Sequence, residues 1–131
     1  MKGMLIVGAC CIAIVLFLSQ WTRIRVRSEA RKRSAYSETE FLKALESQGI
    51  PHEIARAVAA GFRKWASAIV RDFPVMPSDR LSFYHPIVAY DYEDILAEIL
   101  TATGRCWREK TFPPLSTVED VARFVAGCSQ T

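Results

Sequence analysis

The chain is poor in the residues that carry most catalytic chemistry. It has only two histidines, His52 and His85, and neither stands at metal-ligand spacing from a cysteine. Its glycines are scattered, so there is no glycine-rich phosphate loop and no Gly-x-Ser-x-Gly elbow. A dinuclear carboxylate centre wants a Glu-x-x-His motif, and none is present. Of the four cysteines, Cys10 and Cys11 lie in an apolar run, where they act as small hydrophobes. Cys106 and Cys128 are far apart in sequence, which predicts free thiols in a reducing compartment or one disulfide if the domain is exported. These absences predict a non-enzymatic chain with no metal and no cofactor. No segment alternates as a half-buried strand would, and no internal repeat occurs.

Charge is also missing, and in one place. Gly3 to Thr22 contains none over twenty residues. As a helix that stretch is about 30 Å long, the thickness of a bilayer core. Trp21 ends it, at the depth an indole prefers, and then the arginines begin. Residues 1–33 carry seven Lys and Arg against one acid, a net of +6, whereas the remainder has ten basic and thirteen acidic side chains, a net of −3. The overall +3 therefore marks a membrane flank and no nucleic-acid partner. Two other N-terminal readings fit less well. A cleaved signal peptide would need a small-x-small site, and Phe17-Leu-Ser19 before Gln20 is a poor one. A lipoprotein signal at Val7-Gly-Ala-Cys10 has too short an apolar run before the cysteine. The positive-inside bias of Arg23, Arg25, Arg27 and their neighbours predicts a single-pass inner (plasma) membrane protein with its C-terminal domain in the cytoplasm. The expected parts are an anchor at 1–22, a basic juxtamembrane linker at 23–36 and a helical domain at 37–131. Membrane lipid is the partner expected of the helix and its basic flank.

The domain reads as four helices. Ser37-x-x-Glu40 is a capping box that opens a helix with Phe41, Leu42 and Leu45 on one face, and Gly49 stops it. Pro51 suits the first turn of the next helix, on which Ile54, Val58, Phe62, Trp65, Ile69 and Phe73 form a stripe until Pro74 and Pro77. Residues 74–90 form a long loop, with room for one turn, pinned by Leu81, Phe83, Tyr84 and Ile87. A third helix buries Ile95, Leu96, Ile99 and Leu100, carries Glu93, Asp94 and Glu98 in its early turns, and ends at Gly104. After a loop stopped by Pro113-Pro114, Ser116-x-x-Glu119 is read as a second capping box, opening a helix with Val118, Val121, Ala122 and Val125 inward. The fold class is all-α, one small domain behind a transmembrane helix.

The order of stretches, 52–72, 74–90, 92–103 and 117–126, resembles that of acyl carrier proteins, as do Pro77-Ser-Asp-Arg-Leu81 and Ser116-Thr-Val-Glu-Asp-Val-Ala-Arg-Phe-Val125. The resemblance covers roughly residues 50–127 and is to the divergent acyl-carrier-like bacterial proteins of unknown function. It implies the carrier fold. Carriers attach phosphopantetheine to the serine of an Asp-Ser-Leu motif at the front of their second major helix. Here that region reads Val88-Ala-Tyr-Asp-Tyr-Glu-Asp-Ile-Leu96, and no serine lies between Ser82 and Ser116. Ser82 lacks a preceding Asp and sits well before the helix. The expected function is a membrane-anchored interaction module with a degenerate carrier fold. The alternatives are a true carrier or accessory subunit in membrane-associated lipid or polyketide chemistry, and an exported helical domain. An unknown protein partner is expected on the face around residues 84–98 and 105–110, through Tyr84, Tyr92, Glu93, Asp94, Glu98 and Trp107. The competing reading of the aromatics is that they seal a small core.

Overall fold

The structure is a computed structural model that describes residues 1–84 and 92–130. It is mostly helical, with one long apolar N-terminal helix and a small helical domain.

Helix α1 spans Lys2–Lys32, with no proline to interrupt it. It is long and apolar enough to cross a membrane, and none of its most apolar window is buried. At about 1.5 Å per residue its 31 residues extend roughly 46 Å, well past the uncharged run. The stretch expected as a linker is therefore helical as far as Lys32. It also packs: Val26 is buried and Ala30 lies against the core. Full burial of a valine is worth about 1.5 kcal/mol, so this end of α1 is part of the domain.

Helix α2 covers Glu38–Glu46. The Ser37 hydroxyl accepts the Glu40 N–H at 3.3 Å, which satisfies an otherwise orphaned donor. Phe41 and Leu45, four apart, form its buried face. Gly49 takes φ +84, and the Ile50 N–H returns to the Leu45 carbonyl, closing the helix. Pro51 sits one position ahead of helix α3, at its cap, and its carbonyl accepts from Ile54 and Ala55.

Helix α3, His52–Ala66, lies at the centre of the domain and packs against α2 and three later helices. Ile54, Ala55, Val58, Ala59, Phe62 and Ala66 are its buried stripe. It ends six residues before the expected Asp72: the Ser67 hydroxyl turns back to the Lys64 carbonyl, and a turn follows that carries Asp72 at φ +56. Phe73 is still buried, but from the turn, while Trp65 is half-buried.

The long loop contains one short helix, α4, Leu81–Tyr84. Leu81 and Tyr84 are buried within it, and Ile87 lies outside the described residues. Helix α5, Tyr92–Thr103, buries Ile95, Leu96, Ile99 and Leu100 as expected, and Gly104 follows at φ +64. Its approach to α3 is close, since a Cβ on Gly61 would stand 3.0 Å from Ile99 Cγ1. Helix α6, Val118–Gly127, turns Val118, Val121, Ala122 and Val125 inward. Its capping box is one residue later than expected: Thr117 Oγ1 accepts from the Asp120 N–H, and the Asp120 carboxylate accepts from the Thr117 N–H.

The absence of strand is corrected in a small way. Strand β1, Arg105–Cys106, pairs antiparallel with β2, Ser129–Gln130, with Cys106 opposite Ser129. Arg105 tightens the join by donating to the Ala126 and Cys128 carbonyls at 3.2 and 2.8 Å. Two residues per strand are too few to show alternation in the sequence.

Candidate functional site

The most elaborated polar arrangement among the described residues lies where α1 meets the segment before α4. Backbone hydrogen bonds fix that segment to the start of α6. Val118 N–H donates to Asp79 O, Glu119 N–H to Pro77 O and Leu81 N–H to Ser116 O, each at 2.9 Å. Arg80 and Thr117 form an isolated bridge. The segments Pro77–Leu81 and Ser116–Glu119 are thus stitched together.

This stitching holds Asp79 inside the domain, its side chain 4% exposed. A buried carboxylate must be paired. Arg33, from the end of α1, grips it with two short contacts, 2.7 Å to Oδ1 and 2.8 Å to Oδ2. The Tyr84 hydroxyl donates to Oδ2 at 2.7 Å and the Met76 N–H at 3.0 Å. Around the guanidinium stand Phe73 and Phe83, with ring centres 5.5 and 5.8 Å away. Burial alone pulls the Arg33 guanidinium down. The hydrogen bond and charge of Asp79, with the charges of Tyr84 and Glu29, push it above its ordinary value. Burial, then the charge and hydrogen bond of Asp79, hold the Tyr84 phenol well above its ordinary 10.0. Asp79 and Arg33 are 46 residues apart, so no local pattern could have paired them.

The same junction opens outward into a cavity of about 300 Å³, lined by Arg25, Arg80, Ser78 and Ser82 among others. The Arg25 guanidinium lies 5.5 Å from the centre of the Phe83 ring. Neither Arg25 nor Arg80 has an ion-pair partner among the described residues.

Among the described residues, those expected to meet a protein partner fall in three places. Tyr84 is buried and serves Asp79, so it belongs to no surface. Trp107 is half-buried. Its ring stands edge-on to Phe124 at 4.8 Å and its Nε1 donates to the Thr111 carbonyl at 3.0 Å. Glu93, Asp94 and Glu98 are exposed on α5, with Glu98 at 3.3 Å from Lys64 on α3. The side chain of Tyr92 lies outside the described residues, as does His85. His52 pairs with Glu46. On α1, Trp21, Arg23 and Arg27 are exposed, and Trp21 stacks on Phe17 at 6.3 Å. Cys106 and Cys128, distant in sequence, line one cavity of about 210 Å³ beside the β1–β2 pair, both as free thiols. Burial pushes the Cys128 thiol up.

No group of three or more His, Cys, Asp and Glu side chains sits together among the described residues. No protein-family model matches the chain, and no curated protein or solved structure matches it either.

Proposed function

We propose that this protein is a single-pass, membrane-anchored interaction module, non-enzymatic, with a degenerate acyl-carrier-like helical fold facing the cytoplasm. The observation that carries the reading is the continuity of α1. Its apolar stretch is exposed along its whole length, with Ile6, Leu16 and Phe17 each about 60% or more exposed, and the same helix meets the domain core at Val26, six residues before its end at Lys32. That much apolar surface on a lone helix wants a bilayer. The buried end supports a domain held at a fixed distance and angle from that bilayer. The basic residues that follow Thr22 favour the cytoplasmic side. The missing serine between Ser82 and Ser116 supports a module without the phosphopantetheine arm. The exposed acids Glu93 and Asp94, which have no ion-pair partner among the described residues, are the part of α5 open to a basic protein partner.

Labelling of intact spheroplasts with a membrane-impermeant maleimide tests the topology. Cys106 is the accessible probe, while Cys128 is buried. Labelling only after lysis is the expected result, and labelling of intact spheroplasts would move the domain outside the cytoplasm. Charge reversal of Glu93 and Asp94 should weaken in-cell cross-linking to a partner. Unchanged cross-linking would remove α5 from the interface.

A further inference from the structure

The surface where α1 meets Ser78–Phe83 holds more positive charge than the domain consumes. Arg33 is committed to Asp79 at 2.7 Å, and Glu29 is met by Lys32 and Arg33, each at 3.4 Å. The two acids on this surface are therefore already matched. Arg25 and Arg80 remain, from two different elements, and face the same cavity of about 300 Å³. Arg25 does not swing free, because it is held over the Phe83 ring, which in turn stacks on Phe73 at 5.7 Å. Ser78 and Ser82 add hydroxyl donors to the same rim.

The height of this cavity along α1 identifies what it would meet. Arg25 is three residues past Thr22, the end of the uncharged run, which is about 4.5 Å of helix rise. The headgroup layer is roughly 5–7 Å thick on each side of the hydrocarbon core. The cavity thus opens at the depth of lipid phosphates. Guanidinium groups suit phosphate oxygens because two N–H donors can engage two oxygens at once.

We propose that this cavity binds the phosphate of one anionic lipid headgroup, with Arg25 and Arg80 as its cationic ligands and Ser78 and Ser82 as hydroxyl donors. The proposal rests on the membrane-anchor reading above. It makes the domain itself, through Arg80, a second point of attachment to the bilayer.

The test uses the full chain in nanodiscs made from an equal mixture of phosphatidylcholine and phosphatidylglycerol. Native mass spectrometry reads the ratio of the two lipids retained. Wild type should retain phosphatidylglycerol preferentially. Arg80→Gln and, independently, Arg25→Gln should each reduce that preference about fivefold, the effect of one cation near a charged membrane surface. Arg31→Gln, exposed on α1, outside the cavity and about 13.5 Å of helix rise past Thr22, should reduce it by much less. Equal loss in Arg31→Gln and Arg80→Gln would overturn the site in favour of diffuse attraction, as would the absence of any preference. Inorganic phosphate added to nanodiscs of phosphatidylcholine alone separates the two sources of phosphate. An Arg80-dependent phosphate adduct there would assign the cavity to the free ion and overturn the lipid. A chain that does not float with phosphatidylcholine vesicles would sink the anchor and this site together. A chain that floats but shows no Arg80-dependent selection would sink the site alone.

Discussion

The Asp79 carboxylate should be as expensive to remove from this domain as a large core side chain. Asp79→Ala takes away both contacts to Arg33, at 2.7 and 2.8 Å, and the acceptor for the Tyr84 hydroxyl at 2.7 Å and the Met76 N–H at 3.0 Å. Breaking a buried ion pair on one side costs about 3–5 kcal/mol. Here the Arg33 side chain keeps 15% exposure and Glu29 stands 3.4 Å away, so part of the charge penalty is relieved. The Tyr84 hydroxyl has no such relief, and an orphaned buried donor costs about 1–3 kcal/mol. The expected total is about 3–4 kcal/mol. For a domain of this size that lowers the midpoint of thermal unfolding by on the order of 15–25 °C. Near-ultraviolet circular dichroism of the full chain in detergent micelles is the assay, because it follows the domain's tryptophans and tyrosines and ignores the backbone signal of α1. The double variant Arg33→Met with Asp79→Leu should recover the ionic part of the loss, since an apolar pair of similar size replaces a desolvated ionic one, and should leave the cost of the orphaned Tyr84 hydroxyl. A fall of only a few degrees in Asp79→Ala would refute the reasoning: the junction would then be wet and the end of α1 loosely held.

Three further outcomes follow from the same structure. Tyr84→Phe should flatten the alkaline limb of stability. Between pH 10 and the raised value of the folded state, the unfolded chain has lost the phenolic proton and the folded chain has kept it, so wild-type stability falls as pH rises past about 10, by at most about 1.4 kcal/mol per pH unit for one group. Urea unfolding on either side of that pH, compared between wild type and Tyr84→Phe, reads the difference. Gly61→Leu should cost about 1–3 kcal/mol by overpacking the α3–α5 contact, because even a Cβ there meets Ile99 Cγ1 at 3.0 Å. Gly61→Ala should be near neutral in the same urea titration, as about 1 kcal/mol of helix propensity offsets a small shift of the Ile99 tip. Thr117→Ala should cost about 1 kcal/mol and speed amide exchange in the first turn of α6, whereas Ser116→Ala, outside the observed cap, should do neither.

What the sequence made legible was whatever depends on neighbours. The inward faces of α5 and α6 were read residue for residue, because Ile95, Leu96, Ile99 and Leu100, like Val118, Val121, Ala122 and Val125, repeat at three and four. The stripe on α3 misled past Ala66, since Ile69 and Phe73 keep the spacing although the backbone has already turned. At α6 two overlapping caps fit, Ser116-x-x-Glu119 and Thr117-x-x-Asp120. Only the second gives both reciprocal hydrogen bonds. The site itself was not legible. Arg33 and Asp79 are 46 residues apart, and Tyr84, read both as a loop pin and as a partner contact, faces inward, where its hydroxyl donates to the buried Asp79 carboxylate.

The basic run after Thr22 shows why a helix changes what a row of charges means. As a linker, its six Lys and Arg from Arg23 to Arg33 would act alike, as topology signal and lipid attraction. On α1 they divide. Arg25 and Arg33 are eight apart, two turns, and both meet the domain, over Phe83 and at Asp79. Arg23, Arg27 and Arg31, spaced by four, form a separate exposed row. Lys32 is held by Glu29. One stretch of sequence therefore carries two physical roles on two faces. Neutralising the outward row should weaken general attraction to anionic bilayers and leave the domain's unfolding midpoint alone. Neutralising Arg33 should do the reverse, and a helix-breaking change between Thr22 and Arg25 should uncouple the two roles without abolishing either.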